Sequence, residues 1–199
     1  MKRRPKKRES KKSALAAGHD YEPCAGDAVV FDANVLIDYL LLDLMKYPTR
    51  NATAAKRLMD KCCIAHHSEK LIDEAMKARQ SRLGGWVPPA IVERYQNDRY
   101  KRGKLLPVNE KHLAETRLPL DVERIVIEKT REPGKDKPRD GDLHVVRLAK
   151  AVSARAVITE DKNLKESGMS PQVARIVLIV DAEWVIQKVS EPAPVEACP

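Results

Sequence analysis

The sequence has no long apolar run and few cysteines. Because no stretch of about 18 apolar residues occurs, the chain is not expected to cross a membrane. Its basic start is not followed by the apolar segment that a secretory signal requires, which argues against export. The four cysteines show no CxxC spacing and no disulfide framework. This pattern is typical of a protein in a reducing cytoplasm.

Aromatic residues are scarce as well, at 4% of a chain that is 43% hydrophobic. A core built from this composition must be aliphatic, as it is in parallel sheets that helices cover on both faces. The 199 residues are enough for one sizeable core. We therefore expect a single domain over residues 25–190.

Positive charge is plentiful but unevenly placed. The net charge is +8, and residues 1–12 alone carry eight Lys or Arg and one Glu, which leaves +1 for the rest of the chain. A block of like charges without apolar residues cannot offset the entropy lost on ordering, so a disordered basic tail is predicted at residues 1–24, and a second disordered tail at 191–199. The basic tail favours a nucleic acid, an acidic partner or a nuclear address. The alternative is a tail that only aids solubility.

Apolar strands alternate with amphipathic helices along the chain. The predicted strands span residues 28–31, 62–67, 155–159 and 175–180. This alternation predicts an α/β fold, namely a three-layer α/β/α sandwich around a mostly parallel central sheet. A basic insertion at about residues 85–140 interrupts the pattern. Its segment 117–130 fits a strand or a helix equally well.

Acidic side chains follow two of the predicted strands. Asp32 comes directly after "VVF", and Asp161 comes shortly after "AVIT". Because ligands bind beyond the carboxyl ends of parallel strands, which meet at one edge of a sheet, the two carboxylates are expected to lie together. Each of them is also explained by capping of the helix that follows. Asp142 opens a third helix after Gly141, with Asp140 as a competing candidate for any metal role.

A glutamate lies at the border of a buried helix face. In "EKLIDEAMKA", Asp73 falls on the solvent face, whereas Glu74 lies beside the apolar positions and needs a partner. The candidate acids are then Asp32, Glu74, Asp142 and Asp161. If they converge, mutual repulsion raises their pKa values unless a cation is present. An all-oxygen set suits a hard divalent ion such as Mg²⁺ or Mn²⁺.

Three stretches resemble the motifs of PIN-domain nucleases: "VVFDANVLID", "SEKLIDEA" and "DLHVVRLAKAVSARAVITEDKNL". Their order and spacing agree with that family over residues 28–181. The resemblance implies a PIN-like α/β/α fold with an acidic pocket. It assigns the catalytic and metal-binding roles to Asp32, Glu74, Asp142 and Asp161, and supporting polar roles to Asn34 and Thr159.

The resemblance also implies an activity. PIN-domain proteins are typically Mg²⁺- or Mn²⁺-dependent ribonucleases, so the expected function is an endoribonuclease that hydrolyses RNA phosphodiester bonds through an acidic pocket of the two-metal type. Many members are toxins of toxin–antitoxin pairs. An antitoxin protein and a second copy of the chain in a homodimer are therefore expected partners, beside single-stranded or structured RNA.

A basic segment with interleaved tyrosines lies within the insertion. Basic and aromatic side chains together can hold phosphates and stack bases, and the alternative is a solvated helix face. The candidate contacts to nucleic acid are Arg94, Tyr95, Arg99, Tyr100, Lys101, Arg102 and Lys104.

Other functions fit parts of the sequence. A non-catalytic nucleic-acid-binding module would use the basic tail for affinity. A phosphatase with a nucleophilic aspartate is disfavoured, because Asn34 stands two residues after Asp32, where a second aspartate is usual. A zinc site at Cys62 and His66 is disfavoured because four residues of a strand separate them by roughly 13 Å.

Overall fold

The computed structural model describes residues 25–83, 88–130 and 141–189. The predicted tails at 1–24 and 191–199 lie outside the described residues. So do two parts of the predicted insertion, 84–87 and 131–140, the second of which includes the candidate ligand Asp140.

Five parallel strands form one sheet in the order β3-β2-β1-β4-β5. In chain order they are β1 (Ala28–Phe31), β2 (Ile64–His67), β3 (Leu105–Pro107), β4 (Ala156–Ile158) and β5 (Leu178–Val180). Val29 of β1 lies opposite Ala65 on one side and opposite Ala156 on the other. The residue after β1 therefore lies in the middle of the carboxyl edge, the edge at which all five strands end.

Helices cover both faces of the sheet, which confirms the predicted three-layer α/β/α sandwich. They are α1 (Ala33–Leu40), α2 (Arg50–Asp60), α3 (Glu69–Leu83), α4 (Pro89–Gln96), α5 (Glu110–Glu115), α6 (Leu120–Thr130), α7 (Gly141–Ala151), α8 (Lys162–Gly168), α9 (Pro171–Ala174) and α10 (Ala182–Lys188). A 3₁₀ helix spans Leu42–Leu44, and a π-helix spans Asn97–Lys101. One group of helices packs around α1, which contacts α2, α3 and α4, while α6 packs against α7, α8 and α9. Within the described residues, none of the helices combines the length and the apolar character needed to cross a bilayer.

The core is aliphatic, as the composition predicts. Val29, Val30 and Phe31 of β1 and all three residues of β4 are at most 1% exposed. A strand buried on both faces belongs between two helical layers. Because burial of a side chain of the size of Val or Phe contributes roughly 1.5–3 kcal/mol, the central strands anchor the residues that follow them.

The segment predicted as an insertion contributes to this sheet. Its three-residue strand β3 pairs with β2. Residues 117–130, which the sequence left open between strand and helix, contain α6. A strand would have placed Arg124 on the same face as Val122 and Val126, whereas the helix buries the two valines and leaves Arg124 exposed.

A tight turn leads into β2. Cys62 has a φ of 62°, a conformation that few residues other than glycine adopt. Its carbonyl accepts a hydrogen bond from the backbone N–H of Gly26 at 2.9 Å. Cys62 is disulfide-bonded, contrary to the expectation of cysteines without disulfides. Because a cysteine binds zinc as its thiolate, which a disulfide-bonded cysteine lacks, the zinc hypothesis fails at this residue.

Candidate functional site

Four structural elements bring acids to the carboxyl edge of the sheet. Asp32 follows β1 and Asp161 follows β4, and each caps the helix after it. Glu74 lies in the second turn of α3, the helix that follows β2. Asp142 lies in the first turn of α7, the helix that precedes β4. The chain connects strands to one side of β1 and then to the other, and such a switch point is where ligands bind in α/β sheets.

Asp32 is a buried carboxylate, 9% exposed, with hydrogen bonds to both oxygens. Its Oδ1 accepts the Ala33 N–H at 2.7 Å, and its Oδ2 accepts the Thr159 hydroxyl at 2.8 Å. The first bond confirms that Asp32 caps α1. Burial raises the pKa of Asp32, the two hydrogen bonds oppose the rise, and the negative charge of Asp161 adds to it. A nearby cation would stabilise the charged form.

Thr159 links two of the acids. Its buried hydroxyl donates to Asp32 and accepts the backbone N–H of Asp161 at 2.9 Å. Asp161 in turn accepts the N–H of Leu164 at 2.8 Å. The hydroxyl therefore fixes the ends of β1 and β4 relative to each other. Asn34, the other predicted supporting residue, is exposed, and its side chain forms no hydrogen bond with the described residues.

The pKa of Asp142 shows that the four acids act on one another. The pKa of its carboxyl is raised to about 6, and burial is the largest cause. The negative charges of Asp161, Asp32 and Glu74 add to the rise, in that order, and Lys70 opposes it. The structure thus brings the four predicted acids into one electrostatic environment. Asp142 lies inside the first turn of α7, which begins one residue earlier, and not at the predicted N-cap position.

Glu74 has a partner that the sequence did not identify. The Nε2 atom of His144 on α7 lies 3.3 Å from Glu74 Oε2, and His144 is 9% exposed. The signal in the sequence was the need of Glu74 for a partner. His144 itself stands in a helix that also carries charged residues, and its burial follows from packing, because α7 contacts both the sheet and helices α5 and α6.

The donor chemistry of the four acids fits a hard divalent cation. Carboxylate oxygens suit Mg²⁺ or Mn²⁺, and a cation stabilises acids that raise one another's pKa. Within residues 25–83, 88–130 and 141–189, no three acidic, histidine or cysteine side chains form a complete ligand set. The side chain of Glu74 is 37% exposed and has room to rotate toward a metal.

Several side chains of the predicted nucleic-acid interface have partners within the protein. Arg94 Nε donates to Asp43 at 3.0 Å, and Arg99 donates to the Tyr95 hydroxyl at 3.0 Å. The same hydroxyl lies 3.2 Å from Nε2 of the buried His67. These contacts hold α4 and the π-helix against the rest of the domain. The side chains therefore have partners within the protein and are poor candidates for contacts to nucleic acid.

The rest of that interface lies at the opposite edge of the sheet from the acids. Arg102 lies 3.4 Å from the buried Asp98, and Lys104 Nζ donates to a backbone carbonyl near the end of α2 at 2.8 Å. Both residues precede β3 and so lie at the amino edge, where the strands begin. Tyr100, 70% exposed, and Lys101 face solvent. An RNA that touched both these residues and the acids would have to run along the domain.

No protein-family model matches the chain, and comparison with curated proteins finds no significant match. The residues of the site and the resemblance of their motifs are therefore the basis for proposing a function.

Proposed function

We propose that the chain is a metal-dependent endoribonuclease of the PIN-domain kind, which hydrolyses RNA phosphodiester bonds with Mg²⁺ or Mn²⁺. One observation carries the proposal: acids from four elements meet at one edge of the sheet, where three of them, together with burial, raise the pKa of Asp142 to about 6. Clustered like charges oppose folding. Acids perturbed in this way are concentrated at functional sites.

Each acid has a role in the proposed reaction. Bound Mg²⁺ or Mn²⁺ would supply Lewis-acid stabilisation of the phosphate oxygens. Asp32 and Asp161 would hold the principal ion. Asp142 and Glu74 would complete the site. Thr159 positions Asp32 and Asp161, because one hydroxyl bonds both residues.

RNA as the substrate is supported by the motif resemblance and by the basic tail. Residues 1–12 carry a net charge of +7, which attracts polyanions. A role as a toxin with an antitoxin partner, and a homodimer, belong to the proposal through the resemblance alone. The proposed location is the cytoplasm, and the disulfide at Cys62 is the observation that weighs against it.

The alternative function is a non-catalytic nucleic-acid-binding module in which the basic tail supplies the affinity. The observation that favours it is the lack of a complete ligand set among the described residues. Binding to RNA would then weaken steeply with salt and be lost on deletion of residues 1–12, while EDTA would change nothing.

Cleavage of RNA by the purified full-length chain tests the proposal. We expect cleavage with Mn²⁺ or Mg²⁺, none with EDTA, and none with Asp32→Asn, because an amide keeps the shape of the carboxylate without its charge. Asp38→Asn is the control, since Asp38 lies on α1 and accepts hydrogen bonds from Thr49 and Asn51 near the start of α2. Cleavage that survives Asp32→Asn would indicate a contaminating nuclease or another mechanism.

A further inference from the structure

The acidic site needs a positive charge to receive a phosphate. Four carboxylates share one environment, and they keep excess negative charge while fewer than two divalent ions are bound. That excess repels the phosphates of RNA. A cationic side chain beside the acids would offset the repulsion.

Two lysines of α8, the helix that follows β4, are paired within the protein. Lys165 Nζ lies 3.2 Å from Asp181 and 3.9 Å from Glu160. Lys162 Nζ lies 3.7 Å from Glu166, four residues along the same helix. These charges are already balanced by neighbouring acids, so they are poor candidates for a phosphate contact.

Lys70 has different surroundings. It lies in the first turn of α3, one turn before Glu74. It is exposed, and its side chain forms no ion pair or hydrogen bond with the described residues. Its charge nevertheless reaches the site, because it acts on Asp142 against the effect of burial. Lys70 therefore lies one helical turn from Glu74, without an ion-pair or hydrogen-bond partner among the described residues.

We propose that Lys70 is a substrate-binding residue of the acidic site, which holds a phosphate of the RNA beside the acids. The inference rests on the proposed nuclease function. Residues one turn apart on a helix have their Cβ atoms roughly 5–6 Å apart, so the ammonium group can reach a phosphate next to Glu74. A lysine on a flexible stem acts as a point charge and reads no base, so the contact serves RNA of any sequence.

Lys77 offers a matched control for this role. It is exposed and stands seven residues after Lys70 on α3. Seven residues are close to two helical turns, so Lys77 lies on the same face of the helix but farther from the carboxyl edge. The variants Lys70→Gln and Lys77→Gln remove the same charge from the same helix at different distances from the acids.

Steady-state cleavage of a mixed-sequence single-stranded RNA with Mn²⁺ tests the proposal on the full-length chain. We expect Lys70→Gln to raise KM about tenfold with little change in kcat. The slope of log KM against log salt should fall by about 1, because one phosphate contact is lost. Lys70→Arg keeps the charge and should restore most of the affinity. Lys77→Gln should match the wild type.

Equal KM values and salt slopes for Lys70→Gln and Lys77→Gln, in a wild-type background that cleaves RNA, would overturn the role of Lys70 and leave the nuclease function standing. A fall in kcat at unchanged KM would also overturn a role in binding. If the wild-type chain neither cleaves RNA nor gains thermal stability from Mn²⁺, the nuclease function fails, and the role of Lys70 fails with it.

Discussion

Asp161 and Asp181 occupy equivalent places in the sheet but have different electrostatic surroundings. Each follows a strand, β4 or β5, and caps the next helix by accepting a backbone N–H at 2.8 Å. Asp181 is balanced by Lys165, 3.2 Å away, whereas Asp161 raises the pKa values of Asp32 and Asp142. Capping thus explains why an aspartate stands at either position. The difference teaches that a candidate site is marked by acids that raise one another's pKa values.

Removal of each charge in turn tests this contrast most strongly. Asp161→Asn and Asp181→Asn both keep a side chain that can cap a helix. We expect Asp161→Asn to lower the rate of RNA cleavage by at least about a hundredfold, since transition-state stabilisation is lost. Asp181→Asn should leave the rate near that of the wild type, in initial rates at saturating Mn²⁺. Equal losses would mean that both aspartates act through the fold.

The residues two positions before these aspartates also differ, since Thr159 stands before Asp161 and Ile179 before Asp181. Thr159→Val keeps the shape but removes the hydroxyl that donates to Asp32. We expect the metal-free protein to lose about 1–2 kcal/mol in urea unfolding, because a buried acceptor loses its donor. Mn²⁺ should bind about tenfold more weakly, because the ligands are less well oriented.

Thr130→Val is the control for that substitution. The Thr130 hydroxyl is also buried, but it donates to the Val126 carbonyl within α6. Mn²⁺ affinity, measured by titration calorimetry, should be unchanged in this variant. A Thr159→Val protein with the wild-type affinity for Mn²⁺ would show that the hydroxyl supports the fold alone.

A weaker effect is expected in the pH dependence of stability without metal. The pKa of Asp142 is about 6 in the folded protein and 3.8 in its ordinary state, so the folded state binds the proton more tightly. The stability that this adds is complete below about pH 4 and is lost as the pH rises to about 6. Asp142→Asn removes the carboxyl whose ionisation causes this loss of stability. The Tm of the variant in EDTA should therefore exceed that of the wild type at neutral pH.

His67 acts in the opposite direction over an overlapping range. Burial lowers its pKa from 6.5 to about 4, so the protein loses stability as the pH falls below 6.5. Wild type and Asp142→Asn both contain His67, so its contribution cancels in the difference between their Tm values. That difference should grow as the pH rises from about 4 to about 6 and then stay constant. A difference independent of pH would contradict the raised pKa of Asp142.

The strand ends could be predicted from the sequence because their signals are local. A short apolar run followed by an aspartate marks β1, and the rule that parallel strands end at one edge then places Asp32 near Asp161. The same alternation of strands and helices predicted the sandwich. Elements of this kind need no knowledge of distant partners.

The contacts of side chains on the helices could not be predicted in this way, because the partner residues are distant in sequence. Glu74 was recognised as needing a partner, but His144 lies on a helix that reaches α3 only in the folded chain. The arginines of the basic segment also have partners that the sequence does not reveal. Net charge favours a surface that binds polyanions, whereas Arg94 is held by Asp43 from another part of the chain.

The hydrogen bond from Thr159 to Asp32 joins residues 127 positions apart. Domains form on the ribosome from the N-terminus onward, so a growing chain carries Asp32 and Glu74 well before it carries Asp142 and Asp161. The site is therefore incomplete for most of synthesis. If the protein cleaves RNA, its nascent chain carries no complete active site until β4 has emerged and paired with β1. Until then, the nascent chain cannot cleave the messenger RNA from which it is being translated.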